Sequence, residues 1–197
     1  MESFIDSDTQ AKLMLVSGDS GSGKSTLARS ALAAFPAELE YMNTFTTRQP
    51  RKNEDTVEYT FVDLLAYQKI ASQSKRWDES EIYGNFYGTD PDIYIEKLEQ
   101  GKNLILCIPQ SSEEIENLSQ IYGKERIRVI RVLGNKALNL SRLHSTRPPS
   151  EHSRSLIDAH SVSIDGIVGV EFNPRFEIDT DKRNFNILIG GIIHEQR

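Results

Sequence analysis

Gly18-Asp19-Ser20-Gly21-Ser22-Gly23-Lys24-Ser25-Thr26 follows the apolar run Leu13-Met14-Leu15-Val16 and precedes a segment where Leu27, Ala28, Ala31 and Leu32 recur at helical spacing up to Pro36. The first eight residues fit G-x-x-x-x-G-K-[ST], and strand, glycine loop and helix is the context that pattern requires. In that context the loop N–H groups converge on phosphate oxygens while the helix N-terminus adds partial positive charge. Lys24 then reaches the β- and γ-phosphates, and Ser25 ligates Mg²⁺. The residues expected around ATP are therefore Gly18, Ser20, Gly21, Ser22, Gly23, Lys24, Ser25 and Thr26, with Lys24 also catalytic. A flexible Gly/Ser linker is the plain alternative, and the flanking strand and helix speak against it.

Bulk properties narrow the class. A chain of 197 residues is long enough for one α/β domain with a full core. Its formal net charge of −6 provides no basic field for nucleic acid or a membrane surface, so any anion site has to be built locally. Cys107 is the single cysteine and lies within Leu104-Ile105-Leu106-Cys107-Ile108, where a buried small hydrophobe is expected rather than a reactive thiol. No stretch has the length of a membrane span, and Met1-Glu2-Ser3-Phe4-Ile5-Asp6 carries acid where a secretory leader carries base. The expectation is a cytoplasmic protein acting on small molecules, without nucleic acid or membrane.

Along the chain, residues 1–10 read as a polar lead-in and Tyr41 to Thr46 as a second strand, followed by a charged, turn-rich stretch from Thr47 to Asp55. Short β pieces at Glu58-Tyr59-Thr60-Phe61 and Glu81-Ile82-Tyr83 flank a helical stretch from Asp63 to Ser72. This reads as a small α+β insertion over about 44–90. Then come a helix at Pro91 to Glu99, a buried strand at Asn103 to Ile108, a helix at Glu113 to Ile121 and a strand at Arg126 to Leu133. Residues 135–143 read as helical, Pro148-Pro149 interrupts them, and the helical pattern resumes at 154, which makes about 144–158 a candidate lid. Phe176-Glu177-Ile178-Asp179 reads as a short strand. Phe185, Leu188, Ile189, Ile192 and Ile193 favour a closing helix, weakened by Gly190-Gly191. The fold class expected is α/β, a P-loop NTPase three-layer fold whose parallel sheet is covered by helices on both faces. One domain spans 1–197, its core about 11–43 and 91–197.

A second anion site is suggested by Arg48 and Arg51, three apart beside a turn, with Tyr59, Tyr87 and Thr89 as further donors. Two guanidinium forks and two phenols offset the charge of a phosphate monoester. A solvated surface loop with ordinary tyrosines is the alternative.

The order of these residues is more specific than their types. Thr44-Phe45-Thr46-Thr47-Arg48-Gln49-Pro50-Arg51, then Glu54, then Tyr59-Thr60-Phe61, then Gly84-Asn85-Phe86-Tyr87-Gly88-Thr89 resembles the guanylate kinase family, with its T-T-R-x-P-R, G-E, Y-x-F and G-N-x-Y-G-T in that order. Together with the phosphate loop, the resemblance covers about residues 12 to 100. It implies transfer of the γ-phosphate of ATP to GMP, with Mg²⁺ as cofactor. Arg48, Arg51, Tyr59 and Tyr87 would hold the acceptor's monophosphate, and Thr44 and Thr89 would sit near its base. Where the family has a base-reading glutamate six residues before the first glycine of the last motif, this chain has Asp78, with Glu79 beside it. Where the family follows its strand with I-D-x-Q-G, Pro109 occupies the aspartate position. The resemblance also implies lid arginines that close over the phosphates, here Arg142, Arg147 and Arg154. It would put Asp179-Thr180 by the adenine. The departures leave two other readings, a kinase of the same fold acting on another nucleotide or a sugar phosphate, and a non-catalytic binding module of the guanylate-kinase-like kind.

Overall fold

Leu13–Ser17 (β1) is buried along its whole length, as a strand with a layer on each side must be. The computed structural model describes residues 10–19, 21–51, 54, 56–82, 84–109, 111–134, 167–174 and 178–195. In chain order over these residues follow Lys24–Ala34 (α1), Leu39–Tyr41 (β2), Thr44–Thr46 (β3), Tyr59–Phe61 (β4), Leu64–Gln73 (α2), Asp78–Ile82 (β5) and Asn85–Thr89 (β6). Pro91–Glu99 (α3), Asn103–Ile108 (β7), Ser112–Tyr122 (α4), Ile127–Val132 (β8), Val168–Phe172 (β9) and Ile178–Ile193 (α5) complete them.

Five strands form a parallel sheet in the order β2-β7-β1-β8-β9. The side-chain period of two splits β1 between two cores. Met14 and Val16 join Leu27, Ala28 and Ala31 of α1 and Phe185, Ile189 and Ile192 of α5 on one face. Leu13 and Leu15 join Tyr94 and Leu98 of α3 and Ile115, Leu118 and Tyr122 of α4 on the other. This is the three-layer P-loop fold expected from the alternation of strands and helices. With β7 and β8 on either side of β1, the glycine loop leaves the sheet at its carboxyl edge, where open α/β sheets bind ligands. Gly18 opens that loop at φ +149°, and an added Cβ would lie 2.5 Å from the Val132 carbonyl oxygen. Only glycine fits under the end of β8.

A second, four-stranded sheet has the order β4-β3-β6-β5. Helix α2, capped by Asp63, whose carboxylate accepts from the Ala66 N–H at 2.7 Å, covers one of its faces through Tyr67. There Tyr67, Trp77, Phe86 and Phe45 form an aromatic cluster with ring centroids 5.5–5.9 Å apart.

Three expectations need correction. The run Tyr41 to Thr46 is not one strand. Tyr41 ends β2 in the main sheet, Thr44 begins β3 in the second, and Met42 and Asn43 bridge them, with the Met42 N–H on the Ile105 carbonyl at 2.9 Å. Val168–Phe172, within the stretch read as resumed helix, is a strand paired in parallel with β8. Ile178 and Asp179, read as the end of a strand, open α5, so Asp179-Thr180 lies in a helical first turn. Phe176 and Glu177 lie outside the described residues, as do residues 1–9 of the polar lead-in and the stretches expected as a helix at 135–143 and a lid at 144–158. Among the described residues no helix is long and apolar enough to cross a membrane.

Candidate functional site

The phosphate loop delivers its polar groups at the N-terminus of α1. The Ser22 N–H donates to the Asp19 carbonyl at 3.2 Å, which closes the turn. Lys24 Nζ donates to the carbonyls of Gly18 and Asp19 at 2.7 and 2.8 Å, so the ammonium is held across the loop's mouth. Ser22 Oγ is buried, and among the described residues it has no hydrogen-bond partner. A buried hydroxyl without a partner costs about 1–3 kcal/mol, a cost that an anion seated in the loop would remove. Thr26, one position beyond Ser25, is exposed and lines a shallow groove with Arg29, Ser30, Ala33 and Lys182. Ser20 lies outside the described residues, and so do Arg142, Arg147 and Arg154.

The acceptor candidates gather on the second sheet, on the face away from α2. Registers of Asp78 with Thr89, Ser80 with Tyr87, Thr46 with Tyr87, Thr46 with Phe61 and Thr44 with Tyr59 put all of these side chains on one side of the sheet. Tyr59 and Tyr87 meet edge to face, centroids 6.0 Å apart. The Arg48 guanidinium lies over Tyr59 at 5.2 Å and Phe61 at 5.3 Å. Its fork donates to Glu54 at 3.0 and 2.8 Å, and the Arg51 amide and guanidinium donate to the same carboxylate at 2.7 and 3.4 Å. Glu54 thus joins both arginines. Burial pushes its carboxyl up, but the Arg48 fork, the Arg51 amide and the two positive charges outweigh that and hold it below the usual range. Burial also pushes the Tyr59 phenol up to about 12, so near neutrality Tyr59 keeps its proton and can donate it. Glu79 pairs with Gly88 on the opposite face, where the Trp77 indole N–H reaches its carboxylate at 3.3 Å. Of the two adjacent acids, Asp78 is the one on the acceptor face.

Residue types had not pointed to Glu58. It precedes β4, and its carboxylate accepts from Ser25 Oγ at 3.0 Å and from Arg29 at 2.8 Å. No spacing rule signals a contact between residues 33 positions apart; only the second sheet's return to the head of α1 produces it. At the carboxyl end of β7, Pro109 offers its carbonyl to Ser17 Oγ at 3.4 Å and no acid. One turn of strand earlier, burial and the charge of Glu58 push the Cys107 thiol up to about 12, against the opposing pull of Lys24 and Arg29. Such a thiol stays protonated, and the partly buried Cys107 packs against the core beside α1 instead of acting as a reactive thiol.

Comparison with known proteins agrees with this geometry. The guanylate kinase family model matches residues 10–153. A guanylate kinase of Nostoc sp. is 35% identical, over 58% of this chain and 68% of that protein. One from Shewanella frigidimarina is 32% identical, over 57% of this chain and 55% of that protein. The chain spans about half the length of several such curated relatives. Among solved structures, a guanylate kinase from Anaplasma phagocytophilum superposes with a TM-score of 0.66 at 18% identity, covering 95% of this chain and 88% of that one. A sugar kinase from Janibacter sp. follows at 0.53 and 13%, covering 91% and 95%. At such identities the two structures speak to fold alone.

Proposed function

Because the chain belongs to the guanylate kinase family, we propose that it moves the γ-phosphate of ATP to GMP, giving ADP and GDP, in the cytoplasm. The observation that carries this reading is the contact between Ser25 and Glu58, one residue from Tyr59. It sets the acceptor face beside the phosphate loop, as in-line transfer between two bound anions requires.

In this reading the loop N–H groups, Ser22 Oγ and Lys24 hold the triphosphate, and Gly18 lets its backbone approach. Arg48 and Arg51 turn from Glu54 toward the acceptor's phosphate, while Tyr59 and Tyr87 donate from the strands behind it. The face is polar along β6. The cations lie toward Tyr87, and Asp78 lies opposite Thr89, two residues or about 7 Å further along. A nucleotide with its phosphate at the cationic end presents its base to Asp78, which accepts from the N–H groups of guanine. Arg142, Arg147 and Arg154 would close over the phosphates from the lid.

Hard oxygen donors suit Mg²⁺, and a serine hydroxyl with a carboxylate 3.0 Å away is a set of that kind, so the residues present fit the ion. When bound, it offsets negative charge on the β- and γ-phosphates.

A coupled ADP-release assay against GMP, AMP, CMP, UMP and a sugar phosphate tests the reading. GMP is expected to be the preferred acceptor by at least tenfold in kcat/KM; GMP no better than the others refutes it. Asp78 for glutamate and Pro109 for aspartate favour a second reading, another acceptor on the same fold. ATP binding with no turnover on any acceptor would point to a binding module.

A further inference from the structure

The carboxylate that phosphate-loop enzymes place beside the loop hydroxyl is missing from the end of β7, where the chain reads Cys107-Ile108-Pro109. Glu58 reaches the loop hydroxyl from the other sheet. Its Oε2 accepts from Ser25 Oγ at 3.0 Å, and its Oε1 accepts from Arg29 Nη2 at 2.8 Å. Ser25 and Arg29 are one turn apart on α1, so the carboxylate is pinned across that turn by both oxygens. The side chain is only 13% exposed, which limits the other positions open to it. Its backbone is fixed as well, since the Glu58 carbonyl accepts from the Thr44 N–H at 3.1 Å at the start of the β3–β4 pairing.

A hydroxyl has one proton and two acceptor lone pairs. With its proton committed to Glu58, Ser25 Oγ turns its lone pairs away from that carboxylate, where a cation could accept them. A serine whose proton is unclaimed has no such preference.

We propose that Glu58, from the acceptor-binding sheet, replaces the absent strand-end acid of the donor site, orienting Ser25 Oγ toward a divalent cation and supplying the anionic group beside it. This rests on the phosphate loop being a metal–nucleotide site and is independent of which acceptor fills the second site. Glu58 acts through Ser25, as a positioning residue. Because the acid comes from the residue before β4 and not from β7, metal binding at the donor site depends on where the acceptor sheet lies. Arg29 keeps the carboxylate from being a lone charge against the sheet edge.

The test compares the affinity of a non-hydrolysable ATP analogue, with and without Mg²⁺, by titration calorimetry, together with Mn²⁺ binding to the same complex by electron paramagnetic resonance. Glu58→Gln keeps the shape and one acceptor oxygen but removes the charge. It is expected to lower metal affinity about 10- to 100-fold, as loss of an outer-shell partner does, and to leave metal-free nucleotide affinity unchanged or higher. Pro109→Asp in the Glu58→Gln background restores an acid at the end of β7 and is expected to recover most of the loss. With Ser25→Ala already in place, Glu58→Gln is expected to add little, because the two act as a unit. Equal metal affinity in wild type and Glu58→Gln overturns the proposal. So does an equal loss of nucleotide affinity with and without metal, the mark of a purely structural contact. Should wild type bind the metal–nucleotide complex while GMP is no acceptor, the reading of the acceptor fails and this one stands; should wild type bind no nucleotide, both fall.

Discussion

Gly88→Ala is a perturbation whose consequence can be worked from contacts. Gly88 lies in β6 between Tyr87 and Thr89, which face the acceptor side, and itself faces α2. A Cβ there would run into Trp77 Cζ2 and Tyr67 Oη, closer than real Cβ atoms come. Tyr67 is 2% exposed and wedged against Phe86, so it cannot step aside. Trp77 has to move, and its N–H bond to Tyr67 Oη, 3.3 Å long, goes with it. Overpacking of this kind costs about 1–3 kcal/mol and the lost hydrogen bond about 1 more, so a destabilisation of about 2–4 kcal/mol is expected. Trp77 is the chain's single tryptophan, and its emission reads the second sheet alone. Urea unfolding followed at Trp77 should shift to a lower midpoint, and the native emission should change. The KM for the acceptor should rise about tenfold through displaced Tyr87 and Thr89, while ATP affinity holds. A variant with native emission and a stability within 0.5 kcal/mol of wild type, the range of an inconsequential substitution, would refute the packing argument.

Lys24→Met removes the ammonium held by the Gly18 and Asp19 carbonyls; ATP affinity by calorimetry is expected to fall about 100-fold, the worth of one or two charged hydrogen bonds, with the thermal midpoint little changed. Arg48→Lys keeps the charge but loses both the fork on Glu54 and the planar stacking on Tyr59 and Phe61, so the acceptor KM should rise at least tenfold and stability should fall by about 1 kcal/mol in chemical denaturation. Burial, with the charge of Asp78 adding, pushes the Glu114 carboxyl up to about 7. The folded value lies above the unfolded one, so its cost is absent below about pH 4.5 and complete above pH 7, about 3 kcal/mol at most. Stability followed across that window should fall as pH rises, and Glu114→Gln should flatten the fall and be the more stable protein at pH 8.

What the sequence made legible was local or periodic. The β1–loop–α1 unit is contiguous, so its pattern of glycines, lysine and serine is legible by position alone. Asn103–Ile108 and Pro91–Glu99 were read to the residue, because a buried apolar run and a proline-headed helix each declare their ends. The closing helix held through Gly190-Gly191 because a larger residue at 190 would crowd the Phe35 ring, 3.0 Å from the added Cβ. There the glycine that weakens the helix in isolation is what lets it pack on the chain beyond α1. The divided strand at 41–46 had no such signal. Tyr41 and Thr44 carry the same β propensity, and only the hydrogen bond from Met42 to β7 decides that the chain changes sheets between them. Val168–Phe172 was hidden for a different reason. It is an edge strand exposed at all but its last residue, so its pattern lacked the buried period that marks the others.

The same distinction explains the site. Arg48, Arg51, Tyr59, Tyr87 and Asp78 could be named as candidates because each sits in an ordered run of motifs; strand alternation then puts Tyr59, Tyr87 and Asp78 on one face, and the Arg48 guanidinium lies over the Tyr59 ring there. It also separates Asp78 from Glu79, which residue types alone left equal. Glu58 belongs to the same segment as Tyr59 but points the other way, toward Ser25 of a different sheet's helix. Such a contact follows from the crossing of two layers, which periodicity within either layer cannot encode. Pro109 was legible as a missing acid, and the compensation for it was not, because a carboxylate needs only to arrive within hydrogen-bonding reach of the serine, whichever strand carries it. The segment that carries the acceptor candidate Tyr59 therefore also carries the carboxylate on Ser25, and a substitution at Glu58 should be read first as a change in metal affinity at the phosphate loop.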